Sequence, residues 1–141
     1  MIKKNLMVLL QNAYGVEDGY IPSLETESFI NSHTGRRLVN EVLPTNINVQ
    51  IRNCSSRIGD VSSDNFPPDY AYVREELDRI KPTAILACGV NAKRTVTELK
   101  PTVPVVFMPH PAYRALSKKM TSDVRRELLD VLGMWKLEWE R

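Results

Sequence analysis

Four short aliphatic runs, separated by stretches whose apolar residues recur at helical spacing, restrict this chain to an α/β architecture with a mainly parallel sheet. The runs are Asn5 to Leu10, Asn48 to Arg52, Thr83 to Cys88 and Val103 to Met108. All but the second, which alternates, read as strands buried on both faces, as parallel strands between two helix layers must be. Phe29 to Leu43 sets Leu38, Val39, Val42 and Leu43 at helical spacing and stops before Pro44, a residue that cannot extend a helix. Tyr70 to Ile80 places Val73, Leu77 and Ile80 at i, i+4 and i+7 and stops at Lys81-Pro82. A last helix is predicted to start near Thr121 or Ser122 and to carry Val124, Leu128, Val131 and Trp135 on one face. The expectation is a three-layer α/β/α fold with a central four-stranded sheet, formed by a single domain over residues 1–141.

Composition narrows the function classes. At 141 residues the chain is one domain's worth, and its longest apolar runs fall far short of the roughly 18 residues of a membrane helix. The opening Met1-Ile2-Lys3-Lys4 leads straight into a strand and shows no export signal, so the chain is expected in a reducing cytoplasm with no membrane partner. Two cysteines, Cys54 and Cys88, exclude a disulfide framework and a four-thiolate zinc or iron-sulfur site from one chain. No metal and no cofactor is expected. With 19 basic and 17 acidic residues the net charge is only +2, so attraction to nucleic acid must come from local patches.

Two irregular stretches, Gln11 to Glu27 and Cys54 to Pro68, exceed the usual loop length and follow strands, which points to function. In open α/β sheets ligands bind beyond the carboxyl ends of the strands. Four segments should therefore converge on one crevice: Gln11 to Gly15, Asn53 to Arg57, Gly89 to Ala92 and Pro109 to Arg114. The first empties a buried strand into amides and an aromatic, and the second begins with an asparagine able to read a heterocycle's edge. The third is a glycine turn lacking the GxGxxG pattern of dinucleotide sites. The fourth frames His110 with two prolines.

Together and in this order, Gln11-Asn12-Ala13-Tyr14, Asn53, Lys81-Pro82 through Gly89 and Ala92, and His110-Pro111-Ala112-Tyr113 resemble the motifs of the uracil-DNA glycosylase superfamily. The similarity spans about residues 6 to 117. Asn12 stands where the water-activating motif commonly has Asp, Ala13 where it has Pro, and Leu10 where it has Gly. In another frame, Asn12-Ala13-Tyr14-Gly15 resembles the Glu-Ala-Pro-Gly of the thermostable iron-sulfur branch, with Phe29-Ile30 ahead of Gly35. The cysteine count excludes that branch's cluster.

The resemblance implies hydrolysis of the N-glycosidic bond of uracil or a related pyrimidine in single-stranded or duplex DNA, by a monomer and with base flipping. It makes His110 the hydrogen-bond donor to the departing base and Asn12 the group that orients water, an amide being unable to take up a proton at neutral pH. Gln11, Tyr14, Phe29 and Asn53 would hold the base; Asn53 matches uracil's N3–H and O4, and cytosine reverses both groups. Such an amide must be held from behind. Pro111, Ala112, Tyr113, Arg114, Lys118 and Lys119 would engage DNA, with Arg125 and Arg126 adding charge near the last helix and Arg36, Arg37 and Arg57 at the rim. The rival expectation is a catalytically weak or inactive descendant that binds DNA, a nucleotide or a protein partner.

Overall fold

The computed structural model describes residues 4–61 and 63–134, so Trp135 lies outside the described residues. Four strands form one sheet: β1 (Asn5–Leu10), β2 (Asn48–Asn53), β3 (Ala84–Cys88) and β4 (Val105–Met108). Their order is β2-β1-β3-β4, and every pairing is parallel. The helices are α1 (Glu27–Ile30), α2 (His33–Arg37), which runs on through a π-helical turn over Leu38–Val42, α3 (Tyr70–Ile80), α4 (Val90–Leu99) and α5 (Lys118–Val131).

Alternation along β1 divides the core. Leu6, Val8 and Leu10 pack with Leu38, Val42, Leu128 and Leu132 on one side of the sheet. Met7 and Leu9 pack with Val73, Leu77, Ala92 and Val96 on the other. The three layers expected from the uninterrupted apolar strands are thus present, and β1, buried on both faces, is the centre of the domain. Among the described residues, no helix is long and apolar enough to cross a membrane.

Several boundaries differ from the sequence expectation, each for a local reason. The helix predicted over Phe29 to Leu43 is broken between α1 and α2. Ser32 caps α2 by accepting from the Gly35 N–H at 3.0 Å, and its hydroxyl donates to the Phe29 carbonyl at 2.6 Å. This cap doubles the chain back so tightly that a Cβ on Gly35 would lie 1.9 Å from the Phe29 carbonyl oxygen. Val39, expected on the inner face, is 44% exposed. The last helix starts at Lys118 rather than Thr121, because Ser117 is the N-cap and accepts from the Met120 N–H at 3.2 Å. Thr121 is instead buried and donates to Glu41 at 3.1 Å. β4 begins only after Pro104, which has no N–H for the ladder. α3 and α4 end alike, at Lys81-Pro82 and Lys100-Pro101, with each lysine in the left-handed conformation of a helix C-cap.

The strand order fixes where a ligand can enter. From β1 the chain moves outward to β2, and from β3 it moves the opposite way to β4, so connections diverge above the neighbouring carboxyl ends of β1 and β3. That divergence opens a crevice.

Candidate functional site

Two adjoining depressions occupy the crevice. A pocket of about 300 Å³ is lined by Asn12 and Tyr14 after β1, Phe29 from α1, Asn53 from the end of β2 and His110 after β4. A wider cleft of about 730 Å³ is lined by Gln11, Phe66, Asn91, Arg94 and Tyr113, and again by His110. Five of the six residues expected to hold or act on a base therefore line one pocket. Gln11 instead lines the neighbouring cleft, since side chains alternate where β1 runs out.

His110 is the shared wall. Its Nδ1 accepts from the Ala112 N–H at 3.1 Å, a short turn made rigid by the flanking prolines. That bond assigns the ring proton to Nε2. Burial holds the imidazole pKa below its ordinary value, so the ring is neutral at neutral pH and offers one N–H. Gly89, at φ +91°, passes so near that a Cβ there would meet the His110 Cβ at 3.4 Å.

Asn53 is paired in register with Leu10 and only 8% exposed. Among the described residues no group hydrogen-bonds its carboxamide, so the expected lock from behind is missing and its donor and acceptor are available to an occupant. Asn12 differs. Its Nδ2 donates to the carbonyls of Ala13 at 3.1 Å and Asp64 at 3.2 Å, and its Oδ1 accepts from the Phe66 N–H at 3.4 Å. It stitches the two long loops together, aided by paired backbone bonds between Ala13-Tyr14-Gly15 and Gly59. Phe29 is 7% exposed and also belongs to the core, whereas Tyr14 is 51% exposed. None of the side chains lining the smaller pocket is a carboxylate.

The basic residues separate into two groups. Arg114, Lys118 and Lys119 are exposed beside the His110 loop, as are Ala112 and Tyr113, while Pro111 is buried. Lys119 pairs with Asp123 at 2.9 Å, and Arg126 approaches the same carboxylate at 3.7 Å. Arg125, expected to meet phosphates, donates instead to the carbonyls of Val42 and Leu43, both at 3.3 Å, at the end of the π turn. Arg37, expected at the rim, also turns inward. Its guanidinium donates to the carbonyls of Pro111 at 3.4 Å, Tyr113 at 3.2 Å and Leu116 at 2.9 Å, and pairs with Glu41 at 3.2 Å. This clamp is invisible in the sequence because its acceptors are backbone carbonyls more than 70 positions away. Arg36 is exposed, and Arg57 lies over the Phe66 ring at 4.2 Å.

The cysteines are not part of the site. Both are buried, and burial pushes the Cys54 thiol up to about 11 and the Cys88 thiol higher still, leaving them as protonated core groups. Among the described residues, no three side chains of the metal-binding types are grouped to hold an ion. No family model, curated protein or solved structure matches this chain.

Proposed function

We propose that the smaller pocket receives a pyrimidine base flipped out of DNA and that the protein hydrolyses the N-glycosidic bond, in the manner of a uracil-DNA glycosylase. The observation that carries this reading is the convergence of Asn12, Tyr14, Phe29, Asn53 and His110 on one pocket from four separate chain segments. Asn12, Tyr14, Asn53 and His110 lie in segments that a parallel sheet brings to one crevice; the additional agreement is that they share a single pocket there and that Phe29, from outside those segments, joins them.

The chemistry follows from the neutral imidazole and the unpartnered amide. As the glycosidic bond breaks, negative charge gathers on the base oxygens, and an Nε2–H aimed at one of them binds more tightly in the transition state than in the ground state. A neutral donor suits this task because it need not discharge a proton to strengthen. The Asn53 carboxamide can accept from N3–H and donate to O4 of uracil; because no described group fixes its orientation, a half-turn would suit cytosine as well, so Asn53 supplies two edge contacts without by itself rejecting cytosine. Phe29 supplies an apolar face, and Tyr14, half exposed at the mouth, is assigned the exclusion of thymine's C5 methyl. Arg114 and Lys118, which form no ion pair among the described residues, supply sequence-independent attraction to phosphates.

A second reading, a base-binding protein without turnover, is favoured by one feature. The pocket lining has no carboxylate to take a proton from water, and Asn12 is engaged with three backbone groups. Hydrolysis would then rest on leaving-group stabilisation and be slow. Release of free base from uracil-containing single strands and duplexes separates the readings. Under the favoured one, base is released and His110→Ala lowers the single-turnover rate about 100- to 1000-fold with little loss of affinity. Base binding that depends on Asn53, with no release, would establish the second. Absence of both would refute the pocket assignment.

A further inference from the structure

The wider cleft has no task in the scheme above, yet it contains the most deliberately positioned aromatic of the crevice. Phe66 belongs to the buried core on neither side of the sheet. It nevertheless sits in an irregular loop fixed from three directions. Its N–H donates to Asn12 Oδ1 at 3.4 Å, its carbonyl accepts from Asn91 Nδ2 at 3.2 Å, and the Arg57 guanidinium lies 4.2 Å from its ring centre. Asn91 is braced in turn by Asn65 Oδ1 at 2.9 Å. Asn12 and Asn91 fix the backbone at Phe66 and Arg57 contacts its ring; ordering a partly exposed aromatic position in this way sacrifices conformational entropy without enlarging the core, as a binding platform does.

We infer that this cleft is a stacking subsite for the nucleobase adjacent to the flipped one, and that the substrate is accordingly single-stranded DNA. The inference rests on the base-pocket reading. Because His110 walls both depressions, a strand whose base fills the smaller pocket continues directly into the wider one. Phe66 and the half-exposed Tyr113 present rings there, and every base has a face for a ring. Gln11 and Arg94, neither hydrogen-bonded through its side chain to any described residue, provide polar contacts at the base edge or sugar. In a duplex the neighbouring base stays stacked and paired and cannot enter a cleft; on a single strand it can.

The test uses short single-stranded oligonucleotides with a central 2′-fluoro-2′-deoxyuridine, whose glycosidic bond resists cleavage, beside the same strands with thymidine. In each, the nucleotide immediately 5′ or 3′ is replaced by an abasic tetrahydrofuran, and binding is read by fluorescence anisotropy. Loss of the neighbouring base should weaken binding about 5- to 150-fold on one side only. Phe66→Ala should erase that difference and Phe66→Trp preserve it, and matched duplex should bind more weakly than single strand. Equal binding of all three strands, with preference for uracil over thymine retained, would overturn the inference and leave the base pocket standing. A one-sided loss without any uracil preference would uphold the cleft and remove the base pocket. Duplex binding as tight as single-strand binding would overturn the substrate class, and no binding of any strand would overturn both.

Discussion

Replacing Arg37 tests whether the His110 loop is held by one side chain reaching across from α2. Arg37→Met keeps the aliphatic stem and removes the charge and all five donors. The Pro111 contact at 3.4 Å is too long to count fully, so the loss is two good charge-assisted bonds, to Tyr113 and Leu116, and the Glu41 ion pair. Bonds to a charged donor contribute about 1.5 kcal/mol each at the lower end, appropriate here because the exposed Tyr113 carbonyl regains water. The variant should therefore lose about 2–3 kcal/mol, or roughly 5–10 °C in Tm for a chain of this size. Arg37→Lys, which retains charge but cannot fork, should fall between. Position is tested separately by the imidazole NMR titration. Loosening the loop exposes His110, so its depressed pKa should rise toward the ordinary value. Amide exchange at Ala112 should accelerate as its bond to Nδ1 opens. Unchanged stability together with an unchanged His110 titration would refute the clamp, whereas lost stability with an unchanged titration would confine Arg37 to a structural role.

Gly35→Ala should destabilise by about 2–3 kcal/mol and enlarge the pocket at Phe29, because the new methyl would overlap a backbone oxygen that cannot rotate away; a urea midpoint equal to that of the parent would contradict the close approach. Glu76 is held at about 2, first by the hydrogen bond from Arg79 and then by the buried Arg52 of β2. Its folded-state value lies below the unfolded one, so its contribution is complete above about pH 5 and is lost as pH falls toward 2. The depression converts to roughly 3 kcal/mol, reduced to about 2 by solvent around the exposed Arg79; urea titrations of Glu76→Gln and parent that stay parallel from pH 6 to pH 3 would refute it. If neutral His110 is the donor, base release should be level through neutral pH and decline on acidification, when protonation of Nδ1 breaks the bond to Ala112. A rate that rises as the imidazole charges would assign the work to the cation instead.

The layers and the strand positions were legible because they follow from period alone: Leu6 to Leu10 is apolar without interruption, and only a strand buried on both faces needs that. The convergence of the post-strand segments was legible because parallel strands share a carboxyl end. What escaped was decided by contacts with no period. The break between α1 and α2 depends on Ser32 capping and on the Gly35 approach, while Leu38, Val42 and Leu43 continue the same apolar rhythm across it. The early start of α5 depends on Ser117 outcompeting Thr121, whose hydroxyl is drawn inward by Glu41. Arg37, Arg125 and Phe66 share a subtler reason. Composition shows a guanidinium or a ring, but whether it faces solvent, a carbonyl or a cleft is settled by distant backbone.

If the chain is read as a glycosylase, the residue type at position 12 decides what the segment after β1 can do. An aspartate there would face the Ala13 and Asp64 carbonyls, both now accepting from the Asn12 amide, and would replace two hydrogen bonds with two repulsions between oxygens. The loop junction as built requires a donor at that point. The same amide receives the Phe66 N–H, so the residue that a water-activating role would place in the smaller pocket is also the residue that positions the wall of the wider one. The carboxamide thus gives up proton transfer, which an amide cannot perform at neutral pH, and gains a junction that holds both depressions in register. Under the proposed function, such an arrangement favours holding a strand over speed of attack and would put the burden of bond cleavage on His110.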